Sequence, residues 1–320
     1  MSQKLHLTLA CGDYEIIRAL KEGVVKPDGI ELTVLTDMTS DIRHWRMLRN
    51  HEFDVAELSM SNYLIARFTG LPLTAIPVFL HRRFRHGFIF VNVGKGIAKP
   101  TDLIGKKVGL RNFSATANLW IRGILEHEYQ VPHRQIQWIK QDEEEVEFVQ
   151  PPDLSLSRVP SGKHVEEMLV TGELDALIHP ELIRPILKKD RRVGRLFNNY
   201  KDLEIEYHKR TGIFPIMHTT AIKQEVVDRH PWVPINLLQA FERAKELAYQ
   251  RMENPRIVPL AWFRHALEEQ DELLGRDPWL YGLGEQNCRT LETLMQYSLE
   301  QGLIGRRMAI DGLFAPTDVK

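Results

Sequence analysis

The chain has 320 residues, 43% of them hydrophobic and 27% charged, and this length suits two domains better than one core. Its 42 basic and 43 acidic residues leave a net charge of −1, which argues against a nucleic-acid-binding protein. Cys11 and Cys288 lie far apart and lack metal-type spacing, which argues against a disulfide framework or a zinc site.

The first residues are polar and lead directly into an apolar strand-like segment at 5–10, without the apolar core of an export signal. No segment approaches the roughly 20 apolar residues of a membrane span. We therefore expect a cytoplasmic protein without a membrane partner.

Strand-like and helix-like segments alternate, which predicts an α/β fold with parallel sheets covered by helices. Strands are predicted over 5–10, 30–35, 53–57, 73–78, 87–93, 135–140, 174–178 and 214–222. Helices are predicted over 14–22, 41–49, 61–67, 116–127, 163–171, 233–251, 256–273 and 287–301.

Two of the β runs, 87–93 and 214–222, are predicted to be crossover strands that form a hinge between two lobes. Lobe 1 would comprise residues 1–93 and 212–320, with a helical C-terminus. Lobe 2, residues 94–211, would be inserted between them.

This arrangement resembles the type 2 periplasmic-binding-protein fold, whose second-lobe signatures look like KPTDLIGKKVGL (99–110) and GELDALI (172–178). Five further segments resemble the 4,5-dihydroxyphthalate decarboxylase family: ACGDY (10–14), FDVAELS (53–59), FRH (84–86), WIRGIL (120–125) and RTGIFPIMHT (210–219). The resemblance implies a lyase of phthalate catabolism that converts 4,5-dihydroxyphthalate to protocatechuate and CO2.

Substrate-binding candidates follow from where ligands bind in open α/β sheets, beyond the carboxyl ends of the strands. A small anionic ligand is therefore expected in the cleft between the lobes. Arginine binds a carboxylate through two parallel hydrogen bonds, and backbone N–H groups at a helix start also favour a carboxylate. The candidates are Arg82, Arg85, Arg111, Ser59, Asn112, Ser114 and His179. The alternative for the arginines is pairing with surface acids, and for Ser114 it is a helix cap.

Catalytic candidates follow from the chemistry of aromatic decarboxylation, which proceeds most easily by protonating the ring carbon that carries the leaving carboxylate. That step needs a general acid and a base, and histidine is the usual side chain near neutral pH. His86 and His218 are the expected proton-transfer residues, with Asp13 and Glu57 as bases or acceptors for the hydroxyls. Glu57 ends an apolar strand, where a carboxylate is costly unless it is partnered. Packed histidines and a capping role for Asp13 are the alternatives.

Metal and cofactor motifs are absent from the sequence. His81 and His86 are five residues apart with arginines between them, which does not suit one coordination sphere. No glycine-rich nucleotide fingerprint or phosphate loop occurs. We expect neither a metal nor a cofactor.

Two other functions share the expected fold: a solute-binding receptor or sensor without catalysis, and a pyrimidine-synthase-like protein, whose relatives are expected to carry a cysteine-rich motif. The histidines at the predicted cleft and the absence of an export signal favour the enzyme. Trp262, Phe263, Trp279 and Tyr281 offer apolar surface for a homo-oligomer, although packing against lobe 1 is the alternative.

Overall fold

The computed structural model describes residues 4–317, and its contacts divide the chain into two compact units. Unit 1 comprises the residues up to Arg82, Ile216–Leu291 and the residues from Met308 onward, and unit 2 comprises Arg83–Pro215 and Glu292–Arg307. Residues 1–3 and 318–320, assigned to lobe 1 in the prediction, lie outside the described residues. The units differ from the predicted lobes because 83–93, 212–215 and 292–307 belong to unit 2.

Unit 1 contains a five-stranded sheet in the order β2-β1-β3-β11-β4. The strands are β1 Leu5–Ala10, β2 Ile30–Leu35, β3 Val55–Ser59, β4 Leu73–Ile76 and β11 His218–Lys223. β1 runs parallel to β2 and β3, whereas β11 runs antiparallel to β3 and β4. The carboxyl ends of β1 and β3 and the amino end of β11 therefore share one edge of the sheet.

The centre of this sheet is apolar because its strands are covered on both faces. All five residues of β3 are buried, and Leu9, Val55, Ile76 and Ile222 join one hydrophobic core. The helices of unit 1 are α1 Arg18–Lys21, α2 Ser40–Asn50, α3 Met60–Phe68, α8 Gln224–Arg229, α9 Val233–Met252, α10 Phe263–Leu274 and the first turns of α11 Glu285–Glu300. In α9, Phe241 also joins this core.

Unit 2 contains a six-stranded sheet in the order β10-β5-β9-β6-β7-β8. The strands are β5 Ile89–Asn92, β6 Lys107–Leu110, β7 Gln137–Lys140, β8 Leu156–Arg158, β9 Ala176–Ile178 and β10 Val193–Arg195. β5 lies in unit 2 because it pairs with β9 and β10. β6 runs parallel to β7 and β9, so the loops after β6 and β9 share one edge.

The helices of unit 2 are α4 Thr116–Tyr129, α5 Val165–Thr171, α6 Arg184–Leu187, α7 Tyr200–Thr211 and the later turns of α11. Tyr297 of α11 packs edge-on against Trp120 of α4, with ring centroids 5.5 Å apart. This contact places the second half of α11 in unit 2.

Most predicted elements occur within a few residues of their expected bounds, and the α/β fold class is confirmed. The run predicted as a strand over 214–222 begins only at His218, and the helix predicted from 256 begins at Phe263. Helix α7 was not predicted. Among residues 4–317, no helix is long and apolar enough to cross a bilayer.

We predict that Gly123→Ala destabilises unit 2, because the added Cβ would lie 2.1 Å from the Tyr297 ring. Overpacking costs about 1–3 kcal/mol, which outweighs the gain of about 1 kcal/mol in helix propensity. Urea unfolding should show the loss for Gly123→Ala. It should show almost none for Gly312→Ala, whose Cβ would meet nothing within 4 Å. Equal stability of Gly123→Ala and the wild type would contradict this packing.

Candidate functional site

The site in unit 1 is built around Glu57, a carboxylate in the middle strand of a buried sheet. Glu57 lies in β3 between β1 and β11, and its side chain is 0% exposed. A buried ionised carboxylate is costly unless hydrogen-bond donors and a counter-charge replace its hydration.

Four donors surround this carboxylate. The Gly12 N–H and Arg43 Nη2 donate to Oε2 over 2.8 Å and 2.7 Å. The Tyr14 hydroxyl donates to Oε1 over 2.8 Å, and His218 Nδ1 lies 2.6 Å from the same oxygen. Both oxygens thus have two protein partners, an arrangement that suits the ionised form of Glu57.

His218 meets Glu57 because of the register of two strands. It is the first residue of β11 and lies opposite Ser59, two positions beyond the pairing of Thr220 with Glu57. The bond to Glu57 occupies Nδ1, which leaves Nε2 as the other nitrogen able to exchange a proton. The side chain is 13% exposed, so part of the ring reaches the surface of unit 1.

Opposing effects set the protonation of this pair. Burial alone would raise the pKa of Glu57, but the Arg43 guanidinium and His218 bring the pKa well below its usual range. Burial lowers the pKa of His218, while the Glu57 carboxylate opposes this by favouring the charged ring. Burial and the Glu57 carboxylate raise the pKa of the Tyr14 hydroxyl, which therefore stays protonated.

Helix α2 supplies two further residues to this site. Arg43 and His44 are buried, and the His44 ring meets the His218 ring edge-on with centroids 4.9 Å apart. Neither residue is among the predicted site residues. Helix α2 exposes Ile42 and Trp45 and buries Arg43, His44, Met47 and Leu48. The repeat of neighbouring pairs at 43/44 and 47/48 is the sequence signal that marks this face.

His81 is the third imidazole at the site. Its ring meets the His218 ring edge-on with centroids 4.8 Å apart and stacks with Tyr14 at 6.4 Å. The sequence reasoning considered His81 only as a metal ligand. The position of His81 after β4, at the edge of the sheet where β1 and β3 end, is the feature of the sequence that indicates a role in this site.

Three other predicted residues lie in unit 1 with protein partners of their own. The exposed carboxylate of Asp13 accepts a hydrogen bond from Lys21 over 2.8 Å. The buried hydroxyl of Ser59 lies 3.4 Å from that of Ser61. Arg82 is buried and donates to the Leu280 carbonyl over 2.9 Å and to Asn287, and burial lowers its pKa to about 10.

His86 and Arg85 lie in unit 2. The rings of Tyr129, Phe197 and Tyr207 surround the 2%-exposed His86, and burial lowers its pKa to about 4. Arg85 donates to the Pro180 carbonyl over 2.9 Å, and burial lowers its pKa to about 9. The catalytic role of His86 stays a prediction.

The remaining candidates lie in the loops after β6 and β9. Arg111 pairs with Asp142 at 2.6 Å, and Asn112 Oδ1 accepts a hydrogen bond from the Ala115 N–H at the start of α4. His179 Nδ1 lies 2.9 Å from the Glu181 carbonyl oxygen, and burial lowers its pKa.

The amide of Ser114 is already occupied. Glu144 accepts hydrogen bonds from the N–H groups of Phe113 and Ser114 over 3.0 Å and 2.9 Å. Glu144 is buried, although it lies in the acidic run 142–149. A protein carboxylate thus holds the amides that were predicted to receive a substrate carboxylate.

Metal binding finds no support within 4–317, where no group of three or more His, Cys, Asp or Glu side chains is arranged to hold an ion. The expectation of a metal-free site stays a prediction.

Two curated proteins are similar to the chain at the sequence level. A 4,5-dihydroxyphthalate decarboxylase from Comamonas testosteroni is 32% identical over 99% of this chain and 98% of its own. One from Pseudomonas putida is 34% identical over 64% of this chain and 82% of its own. The family model described as NMT1/THI5 like matches residues 14–150.

Solved structures place the fold among periplasmic binding proteins. The alkanesulfonate-binding protein SsuA from Xanthomonas axonopodis, bound to MOPS, matches 98% of this chain and 99% of its own with a TM-score of 0.59. The sequence identity is 14%, so this likeness concerns the fold alone. The predicted type 2 periplasmic-binding-protein-like fold is confirmed.

We predict that Tyr14→Phe destabilises the protein by about 2 kcal/mol, because a hydrogen bond to a charged group contributes about 1.5–3 kcal/mol. The change removes one donor to Glu57 and keeps the ring. Chemical denaturation measures the loss. The control is Tyr200→Phe, because the Tyr200 hydroxyl makes no hydrogen bond within the described residues. This substitution should change the free energy of unfolding by less than about 0.5 kcal/mol. A similar effect of the two substitutions would contradict the role of Tyr14.

Proposed function

The chain belongs to the 4,5-dihydroxyphthalate decarboxylase family, and from this premise we propose that it is a carboxy-lyase acting on a hydroxylated aromatic dicarboxylate. The proposed substrate is 4,5-dihydroxyphthalate, and the products are protocatechuate and CO2. The observation that carries the proposal is the His218–Glu57 pair in unit 1, 2.6 Å between Nδ1 and Oε1, at the edge of the sheet where ligands of α/β proteins bind.

The reaction consumes one proton for each CO2 released. The hydroxyl para to the leaving carboxylate donates electron density to the ring, and the carbon that carries the carboxylate accepts a proton. The carbon–carboxylate bond then breaks, and its electron pair restores the aromatic ring as CO2 departs. The protein must therefore supply a proton donor close to the ring face.

His218 is the proposed donor. Glu57 holds its Nδ1 and fixes the orientation of the ring, so the proton is delivered from Nε2. Burial lowers the pKa of His218, and the Glu57 carboxylate opposes this shift by favouring the charged imidazole. Solvent restores the proton after each turnover.

Arg43 defines the role of Glu57 in this scheme. The ion pair at 2.7 Å keeps Glu57 ionised, so this carboxylate orients His218 and does not act as the acid. The earlier expectation that Glu57 accepts the substrate hydroxyls is less well supported, because four protein donors already surround it.

A receptor or sensor for a small aromatic carboxylate is the alternative, and the likeness to a sulfonate-binding protein concerns only the fold. A binding protein needs polar groups that face its ligand. The donors around Glu57 instead point at this protein carboxylate, as expected for groups that orient a proton-transfer residue. This arrangement favours the enzyme.

The proposal extends to the assembly. A homo-oligomer is supported by Trp262, which is 79% exposed, and by Leu260, which is 63% exposed. Tyr281 is buried and Trp279 packs on the core of unit 1, so these two rings do not contribute. Location in the cytoplasm, and a ligand site in the cleft between the lobes, stay predictions.

We predict that the purified chain converts 4,5-dihydroxyphthalate to a product lighter by the mass of CO2, and that in D2O the product carries one deuterium on the carbon that lost the carboxylate. His218→Gln should lower kcat by about 100-fold or more, the usual contribution of general acid catalysis. Mass spectrometry and CO2 release measure both effects.

The matched control is His265→Gln, an exposed histidine on α10, which should keep wild-type activity. Tight binding of 4,5-dihydroxyphthalate by the wild type without any release of CO2 would contradict the proposal and support the receptor.

A further inference from the structure

We propose that His81 is a second proton-transfer residue of this site and takes up the proton of the substrate hydroxyl while His218 protonates the ring carbon. The inference rests on the proposed function, which requires a base as well as an acid. It assigns the base to a residue outside the catalytic candidates predicted from the sequence.

The backbone fixes His81 beside His218. The His81 carbonyl oxygen accepts hydrogen bonds from the N–H groups of Met217 and His218 over 2.9 Å and 3.3 Å. This contact holds the segment after β4 against the start of β11. The two imidazoles consequently meet edge-on with centroids 4.8 Å apart.

Exposure distinguishes His81 from the other neighbouring imidazole. His44 also meets the His218 ring, but it is buried at 3% exposure on the inner face of α2. His81 and His218 both remain partly exposed, and because His81 Nδ1 is buried, a ligand at this surface of unit 1 would meet the His81 ring at Nε2. Two protons, one at the ring carbon and one on the hydroxyl para to it, can then be moved on one bound molecule.

Charges on every neighbouring element affect this pair. The groups that face it are Glu57 on β3, Arg43 and His44 on α2, and Tyr14 after β1. Glu57 and Arg43 form an ion pair, and Tyr14 stays neutral, so the surroundings carry little net charge. Of the two imidazoles, His218 is the one hydrogen-bonded to the Glu57 carboxylate, which favours its charged form and so suits it to the role of donor.

The proposed step is balanced. His81 takes the proton from the hydroxyl para to the leaving carboxylate, while His218 Nε2 gives a proton to the ring carbon and forms a ketone-like intermediate. The carbon–carboxylate bond breaks, its electron pair returns to the ring, and the ring oxygen takes the proton back from His81. The net reaction converts the carboxylate and one proton from water into CO2 and a C–H bond.

The test compares His81→Gln with the wild type and His265→Gln in steady-state assays with 4,5-dihydroxyphthalate. We expect His81→Gln to lower kcat by about 100-fold and to change KM by less than about threefold, because the base acts in the transition state. We also expect the kcat–pH profile to lose its decline toward acid pH, which reports protonation of the base. His218→Gln should lose the decline toward alkaline pH instead.

The outcomes separate this inference from the proposed function. A wild type that releases no CO2 overturns the proposed function and this inference together. An active wild type with unchanged kcat and pH profile in His81→Gln overturns the role of His81 alone. If His81→Gln unfolds, His81→Asn provides the same comparison, and a thermal transition equal to the wild type shows that a loss of kcat is not a loss of folding.

Discussion

The burial of one carboxylate is the constraint on which the site of unit 1 depends. Glu57 lies in the middle of a buried sheet, where an unpartnered carboxylate would destabilise the fold or take up a proton. A guanidinium, a backbone amide, a phenol and an imidazole replace its hydration. Each of these donors is consequently held in one position. Burying the charge is unfavourable, but it fixes the orientation of the groups that surround Glu57.

The same constraint links the sheet to the proposed chemistry. Parallel β1 and β3 bring Gly12 and Tyr14 to one side of Glu57, and antiparallel β11 brings His218 to the other. An imidazole held at Nδ1 by a carboxylate can exchange a proton only through Nε2, as in the histidine–carboxylate pairs of hydrolases. A binding-protein fold thereby acquires an oriented acid without a cofactor in the proposed step.

Sequence reasoning identified Glu57 and His218 because a carboxylate in an apolar strand and a histidine in a β run are local signals. Arg43 and His44 are not predictable from the sequence because the buried face of α2 is set by packing against β3, and α2 also exposes the apolar side chains Ile42 and Trp45. The sequence does not distinguish His86 from His218, because helix α7, which supplies Tyr207 to the surroundings of His86, was not predicted. Most strands and their order along the chain were predictable from apolar runs, but the short strands β8 and β10 were not. The register and the long-range partners of the strands depend on tertiary contacts.

The ionisation of Glu57 can be measured directly. The carboxyl 13C signal of Glu57, assigned by comparison with Glu57→Gln, can be followed by NMR in the full chain as the pH is lowered. We expect the signal to remain that of a carboxylate from neutral pH to below about pH 4, the region where an ordinary glutamate titrates. A midpoint at or above the usual value of about 4.3 would contradict the claim that Arg43 and the other donors hold Glu57 as a permanent anion.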